Sequence, residues 1–182
     1  MEIGRAKEAL DRRPDTGPVT VSPLPWAVVD LDGTLADVRH RLHHVERRPK
    51  DWSAFFAAAP DDALLPEGEA VVRRLAEDHR VAYLSGRPER CRTDTQRWLD
   101  RYGLPAGPVY LRRGDDRRPS WMGKLSRLRR LAQDGGVDVL VDDDPVVARH
   151  AEAAGFAVLR ADWMLRQDGD TLFEIQESEG RT

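Results

Sequence analysis

The segment "WAVVDLDGT", residues 26–34, constrains this chain more than any other. A short, apolar, β-branched run of this kind reads as a strand buried on both faces, as in a parallel sheet. It ends in two aspartates, Asp30 and Asp32, one residue apart. Ionised carboxylates are costly to place beside a core unless they are paired or bind a cation. The rest of the chain repeats the same grammar. "PEGEAVVRRLAEDHR" opens on Pro66 and sets Val71, Val72, Leu75 and Ala76 on one helical face, and "VAYLS" follows as a second strand. A helix from Pro88 to Gly103, the strand "PVYLR" and the helix "SWMGKLSRLRRLAQDGG" come next, then the strand "VDVLV". The helix "PVVARHAEAAG", stopping at Gly155, and the strand "FAVLR" complete the series. Strands alternating with helices predict an α/β, Rossmann-like fold with a mainly parallel sheet and helices on both faces. The expected organisation is an N-terminal tail over 1–22, one domain over 23–165 and a C-terminal extension over 166–182, where "TLFEIQ" could dock as a last element.

Composition narrows the setting. With 182 residues, 40% hydrophobic and 34% charged, the chain has the make-up of one globular domain. No apolar run approaches the ~20 residues that span a bilayer, so no membrane association is expected. The first residues lack the apolar stretch of a signal peptide. Cys91 is the single cysteine, which excludes an intrachain disulfide and a cysteine-built metal centre. A cytoplasmic protein is the expectation. The net charge of −3 conceals arginine runs at 39–48 and 112–118. Guanidinium groups of this density suit either a solvated surface or a polyanion.

In open parallel sheets, ligands bind at the carboxyl ends of the strands. Those ends carry Asp30, Asp32, Gly33 and Thr34; Ser85, Gly86 and Arg87; and Asp142, Asp143 and Asp144. Lys124 lies near the start of the helix before the fourth strand. Carboxylates on neighbouring strand ends form a hard-oxygen site suited to Mg²⁺. A serine, a lysine and an arginine can hold phosphate oxygens, and an aspartate can attack phosphorus.

With "DLDGT", "SGR", Lys124 and "VDDD" in this order, the chain resembles the haloacid dehalogenase superfamily of phosphohydrolases over about residues 26–165. That resemblance implies Asp30 as nucleophile and metal ligand, and Asp32 as general acid/base with its backbone carbonyl on the metal. It implies Thr34 shaping the loop beside the substrate, Ser85 and Gly86 on a phosphate oxygen, and Lys124 bridging nucleophile and phosphate. Asp142 and Asp143 would complete the Mg²⁺ site, with Asp144 the alternative if the register shifts by one. Neither position where such proteins carry a cap domain has room for one. The segment from Ala36 to Leu65 reads as an irregular flap, and such open sites suit polymeric substrates. "DLDGTLADVRHR", "YLSGRPE", "TDTQRWLDRYGLP" and "VDDDPVVARHAEAAGF" are similar to the 3′-phosphatase domain of phage polynucleotide kinase. The closer resemblance implies that Arg41, or Arg39 in its place, and Arg87 contribute to phosphate binding. It also implies a nucleic acid bearing a 3′-phosphate end as substrate. No G-x-x-x-x-G-K-[ST] segment occurs, so any kinase activity would have to come from another chain, and a separate kinase or ligase is the expected partner. Rival readings are a small-molecule phosphatase such as a nucleotidase, a protein phosphatase, and a non-catalytic nucleic-acid-binding accessory protein. His40, His43 and His44 share a helical spacing, but no matched acids surround them in sequence. Trp52, Phe55 and Phe56 would either pin the flap or stack on a base.

Overall fold

The computed structural model describes residues 23–46, 48–114 and 116–164. The expected tail and extension, and "TLFEIQ" with them, lie outside the described residues. Five parallel strands form the central sheet: β1 (Trp26–Val29), β4 (Arg80–Pro88), β5 (Val109–Arg112), β6 (Val137–Asp142) and β7 (Val158–Arg160), in the order β5-β4-β1-β6-β7. The chain starts in the middle, builds outward through β4 and β5, then returns to lay β6 on the other side of β1. Its topological switch point is therefore between β1 and β6, where Val29 pairs with Val141.

Alternate residues of each strand serve opposite faces, and the helices divide accordingly. Val29, Val81, Tyr83 and Val141 pack with α3 (Pro66–Leu75) and α4 (Arg92–Arg101) through Val72, Trp98 and Leu99. Val28, Ala82, Leu84 and Leu140 face α5 (Ser120–Ala132) and α6 (Pro145–Ala153) through Leu128, Leu131, Val147 and Ala151. A sheet buried on both sides explains why its strands read as continuous apolar runs. No helix among the described residues is long and apolar enough to cross a membrane.

The flap is more ordered than its sequence suggests. β2 (Ala36–Asp37) and β3 (Ala63–Leu64) pair antiparallel into a stem, and between them lie α1 (His43–Glu46) and α2 (Trp52–Ala57). Val38, Leu42, Val45, Trp52, Phe55 and Phe56 form its own small core with Cys91. Elements of two to six residues are too short to show a hydrophobic period, which is why this stretch reads as irregular.

One glycine locks the loop after β1 against the body. A Cβ on Gly68, in the first turn of α3, would fall 2.1 Å from the Thr34 carbonyl oxygen. Gly68→Ala must therefore push the helix off the loop that carries Asp30 and Asp32. It is expected to cost about 1–3 kcal/mol, the range for forced overpacking. Thermal unfolding checks this.

Candidate active site

The loop after β1 folds tightly on itself. The Leu31 carbonyl accepts from the amides of Thr34, Leu35 and Ala36, and the Gly33 amide donates to the Ala36 carbonyl at 2.9 Å. Gly33 has a φ of +80°, and a Cβ there would meet the Asp143 carboxylate at 2.2 Å. The motif thus needs glycine twice over, for its backbone and for the acid lying across it. This compact turn aims Asp30 and Asp32 into a chamber beyond the strand ends, shared with Phe56, Ser85, Gly86, Ser120, Lys124, Asp143 and Asp144.

Lys124 Nζ stands 3.0 Å from Asp30 Oδ1 and donates to Asp142 Oδ2 at 2.8 Å. Burial by itself would lower the lysine, but the charges of Asp142 and Asp30 overcome it and hold the ammonium well above its ordinary range. Burial pushes Asp30 up to about 7; Lys124 opposes that rise, and the nearby charges of Asp142 and Asp32 add to it. Asp30 Oδ1 is buried without a hydrogen bond of good geometry. Oxygens of Asp30, Asp142 and Asp143 lie within 4.8 Å of one another, an all-carboxylate set suited to a hard divalent cation. Asp143 is pushed well above its usual range, first by burial and then by the charges of Asp30 and Asp142. A donor set so short of positive charge fits a cation. Asp144 lines the chamber but lies outside this cluster, and its Oδ1 caps α6, accepting from the Val146 and Val147 amides at 2.7 and 3.3 Å.

Arg41 and Arg87 are almost wholly buried, and neither lines the chamber. Both grip Asp32: Arg41 Nη2 donates to its Oδ1 at 2.7 Å, and Arg87 Nε and Nη2 donate to the same oxygen at 2.9 and 2.6 Å. In this arrangement the two guanidiniums hold an acid, where sequence led us to expect a phosphate. Among the described residues no hydrogen bond falls on Asp32 Oδ2, the oxygen left for the chamber. Burial would raise this carboxyl, but the Arg41 and Arg87 charges outweigh it and keep it well below the usual carboxylate range. Arg39 is at the surface, paired with Asp37, so the residue buried against Asp32 is Arg41.

Sequence reasoning missed Asp62. Its carboxylate accepts from Arg41 Nε and Nη2, each at 2.7 Å, and from Arg87 Nη2 at 2.7 Å. His40 Nε2 is 2.9 Å from Asp62 Oδ1. Trp98 of α4 and Tyr102, just after its last residue, donate to the Asp62 backbone carbonyl. Ser120 was missed too, although it lies one helical turn before Lys124, a spacing that places both on one face. Thr34 keeps its hydroxyl buried away from the chamber, and its carbonyl accepts from Trp163 Nε1 at 3.0 Å. The three flap histidines form no part of the acidic cluster.

A second cleft, of about 180 Å³, shares Ser85, Gly86, Ser120 and Lys124 with the chamber. It continues past Tyr110 to Arg112, Arg113, Arg118, Arg127 and Arg130. Arg112 shapes its wall, donating to the carbonyls of Asp116 and Arg118 at 2.8 Å each. The arginine run at 112–118 therefore borders the site, whereas the described arginines near the start of the flap run are tied to Asp37, Asp32 and Asp62.

Comparison with known proteins agrees with this fold. A family model described as the polynucleotide kinase PNKP phosphatase domain matches residues 25–162. A chain from a Pnkp1/Rnl/Hen1 complex superposes with a TM-score of 0.61 at 25% identity, covering 76% of this chain and 45% of its own. Another, from a Pnkp1/Rnl/Hen1 RNA repair complex, gives 0.59 at 23% identity, covering 75% and 42%. The chain thus spans less than half the length of either. The class C acid phosphatase from Bacillus anthracis, with tungstate bound, shares the fold with a TM-score of 0.57 at 15% identity, covering 95% of this chain and 81% of its own. No curated protein matches.

Proposed function

The chain belongs to the polynucleotide kinase phosphatase-domain family, and from that premise we propose that it is a Mg²⁺-dependent phosphomonoesterase removing 3′-phosphates from DNA or RNA ends. The observation that carries the substrate class is the arginine-lined cleft that shares Ser85, Gly86, Ser120 and Lys124 with the catalytic chamber. A single phosphate would need only the chamber; a row of guanidiniums beyond it suits the further phosphates of a polymer. The RNA repair complex that a structural neighbour comes from favours the same reading. A kinase or a ligase acting on the same nucleic-acid ends would complement this reaction.

In the proposed reaction an Asp30 carboxylate oxygen attacks phosphorus, and the bond from phosphorus to the 3′ oxygen breaks. The Asp32 carboxyl, through the oxygen not held by arginine, gives its proton to that leaving oxygen. Although the two arginines favour the ionised form of Asp32, an arriving phosphate dianion opposes them and raises its proton affinity. Water then attacks the aspartyl-phosphate at phosphorus, Asp32 takes the water's proton, and Asp30 is restored as inorganic phosphate leaves. Lys124, Ser85 and the Gly86 backbone would hold the phosphoryl oxygens as charge develops on them. Asp30, Asp142 and Asp143 would hold Mg²⁺, whose charge offsets that of the phosphoryl oxygens and keeps Asp30 ionised.

The test supplies Mg²⁺ and compares an oligonucleotide bearing a 3′-phosphate with its 5′-phosphate isomer, free nucleotides and a phosphopeptide. The expected result is release of phosphate from the 3′ end above all others, abolished by chelation of the metal. Turnover of the oligonucleotide should also weaken with added salt more steeply than turnover of a small phosphate ester. Preference for free nucleotides or the phosphopeptide, with a shared salt dependence, would sink the polymer reading.

A further inference from the structure

We propose that Phe56 is a specificity residue whose ring edge packs against the sugar carrying the scissile phosphate; this rests on the reading of the site as a 3′-phosphatase. Among the described residues lining the catalytic chamber, Phe56 is the only apolar side chain; the others are acids, serines, a lysine and a glycine. A phosphoryl group and a metal ion have no use for a phenyl ring. The remaining part of the substrate is the leaving group, and in a nucleic acid that is a sugar with an apolar C–H face. Covering the ring edge with that face removes apolar surface of both from water.

The ring is held ready for this contact. Trp52 stacks beside it with centroids 6.0 Å apart and planes 28° from parallel, and Phe55 meets it edge-on at 5.3 Å. The Arg90 guanidinium lies 5.8 Å from its centroid on the body side of the flap. So fixed, Phe56 retains only 9% of its exposure. So little exposed surface is too small a platform for a stacked base, which is why the sugar is the partner. Asp32, the acid proposed to protonate the leaving oxygen of that same sugar, lines the same chamber. One contact would thus fix the sugar where the proton transfer needs it.

Two 3′-phosphorylated oligonucleotides test this. One ends in an ordinary nucleotide; in the other, a propanediol unit replaces the terminal sugar and base. For the wild type, kcat/KM should favour the nucleotide end. In Phe56→Ala the ratio between the two substrates should fall about tenfold, the size of one aromatic contact. Phe56→Leu, which keeps an apolar filler in the flap core, should lower the ratio part of the way and unfold close to the wild-type temperature. Equal loss on both substrates in both variants would overturn the proposal, leaving Phe56 as a flap core residue. An unchanged ratio would overturn it as well. Failure of the wild type on both oligonucleotides, with a free nucleotide still hydrolysed, would instead overturn the parent reading.

Discussion

Asp30→Asn is expected to lower phosphate-ester turnover about 10⁴-fold or more, the scale seen when a covalent nucleophile is removed. The amide has the shape of the carboxyl but no charge with which to attack phosphorus. The protein should stay folded, for two reasons drawn from the site. Lys124 keeps its 2.8 Å bond to Asp142, so the ammonium is not stranded. Burial already pushes Asp30 up to about 7, so replacing it by a neutral group relieves a crowded set of acids. The measurement is steady-state hydrolysis of the 3′-phosphorylated oligonucleotide beside thermal unfolding. Loss of activity with an unfolding temperature at or above wild type is the expected pair of results. Activity at the wild-type level would refute the aspartyl-phosphate mechanism outright.

Asp62→Ala should produce the opposite signature, a loss of stability with a loss of activity behind it. Arg41 and Arg87 are buried, and between them they make three bonds of 2.7 Å to this one carboxylate. Without it, two guanidiniums share the single remaining anion, Asp32. Removing one partner of a buried ionic cluster costs about 3–5 kcal/mol, because the surviving charges have nothing to replace it. At this chain length that is a fall of about 6–20 °C in unfolding temperature. Asp62→Asn tests the charge apart from the shape. It should recover part of the stability, since the amide oxygen can still accept, and little of the activity, since the arginines would redistribute on Asp32. A stability change below ~1 kcal/mol in both variants would show that the network is not an ionic unit.

What the sequence conveys about this site follows from how locally each role is determined. Asp30 and Asp142 are legible because each ends an apolar run, and the fold rule for strand ends turns those positions into a site. Asp144 was legible in principle: an aspartate directly before a proline that opens a helix is an N-cap signal. Three consecutive acids drew attention to metal binding and away from it. Asp62 gives no such local sign. It stands in "PDDALLP", which reads as a polar loop, and it earns its place through arginines 21 and 25 residues away. The same holds for the arginines. Their spacing after the motifs was visible, but whether they face a phosphate or an acid depends on where the flap returns. The flap itself was underread because its elements are shorter than any period that could announce them.

The β2–β3 stem has a consequence for remodelling this fold. Ala36 pairs with Leu64 and Asp37 with Ala63, so the two ends of the flap leave the body side by side. A longer segment, or a folded domain whose termini lie close together, could be spliced between them with the stem as its socket. Exposed Arg48 and Pro49, between the two flap helices, mark the seam at which such an insert would disturb least. The insert would become a new ceiling over an unchanged set of acids. Substrate choice in such a scaffold is then a replaceable part, while the reaction stays with the sheet below.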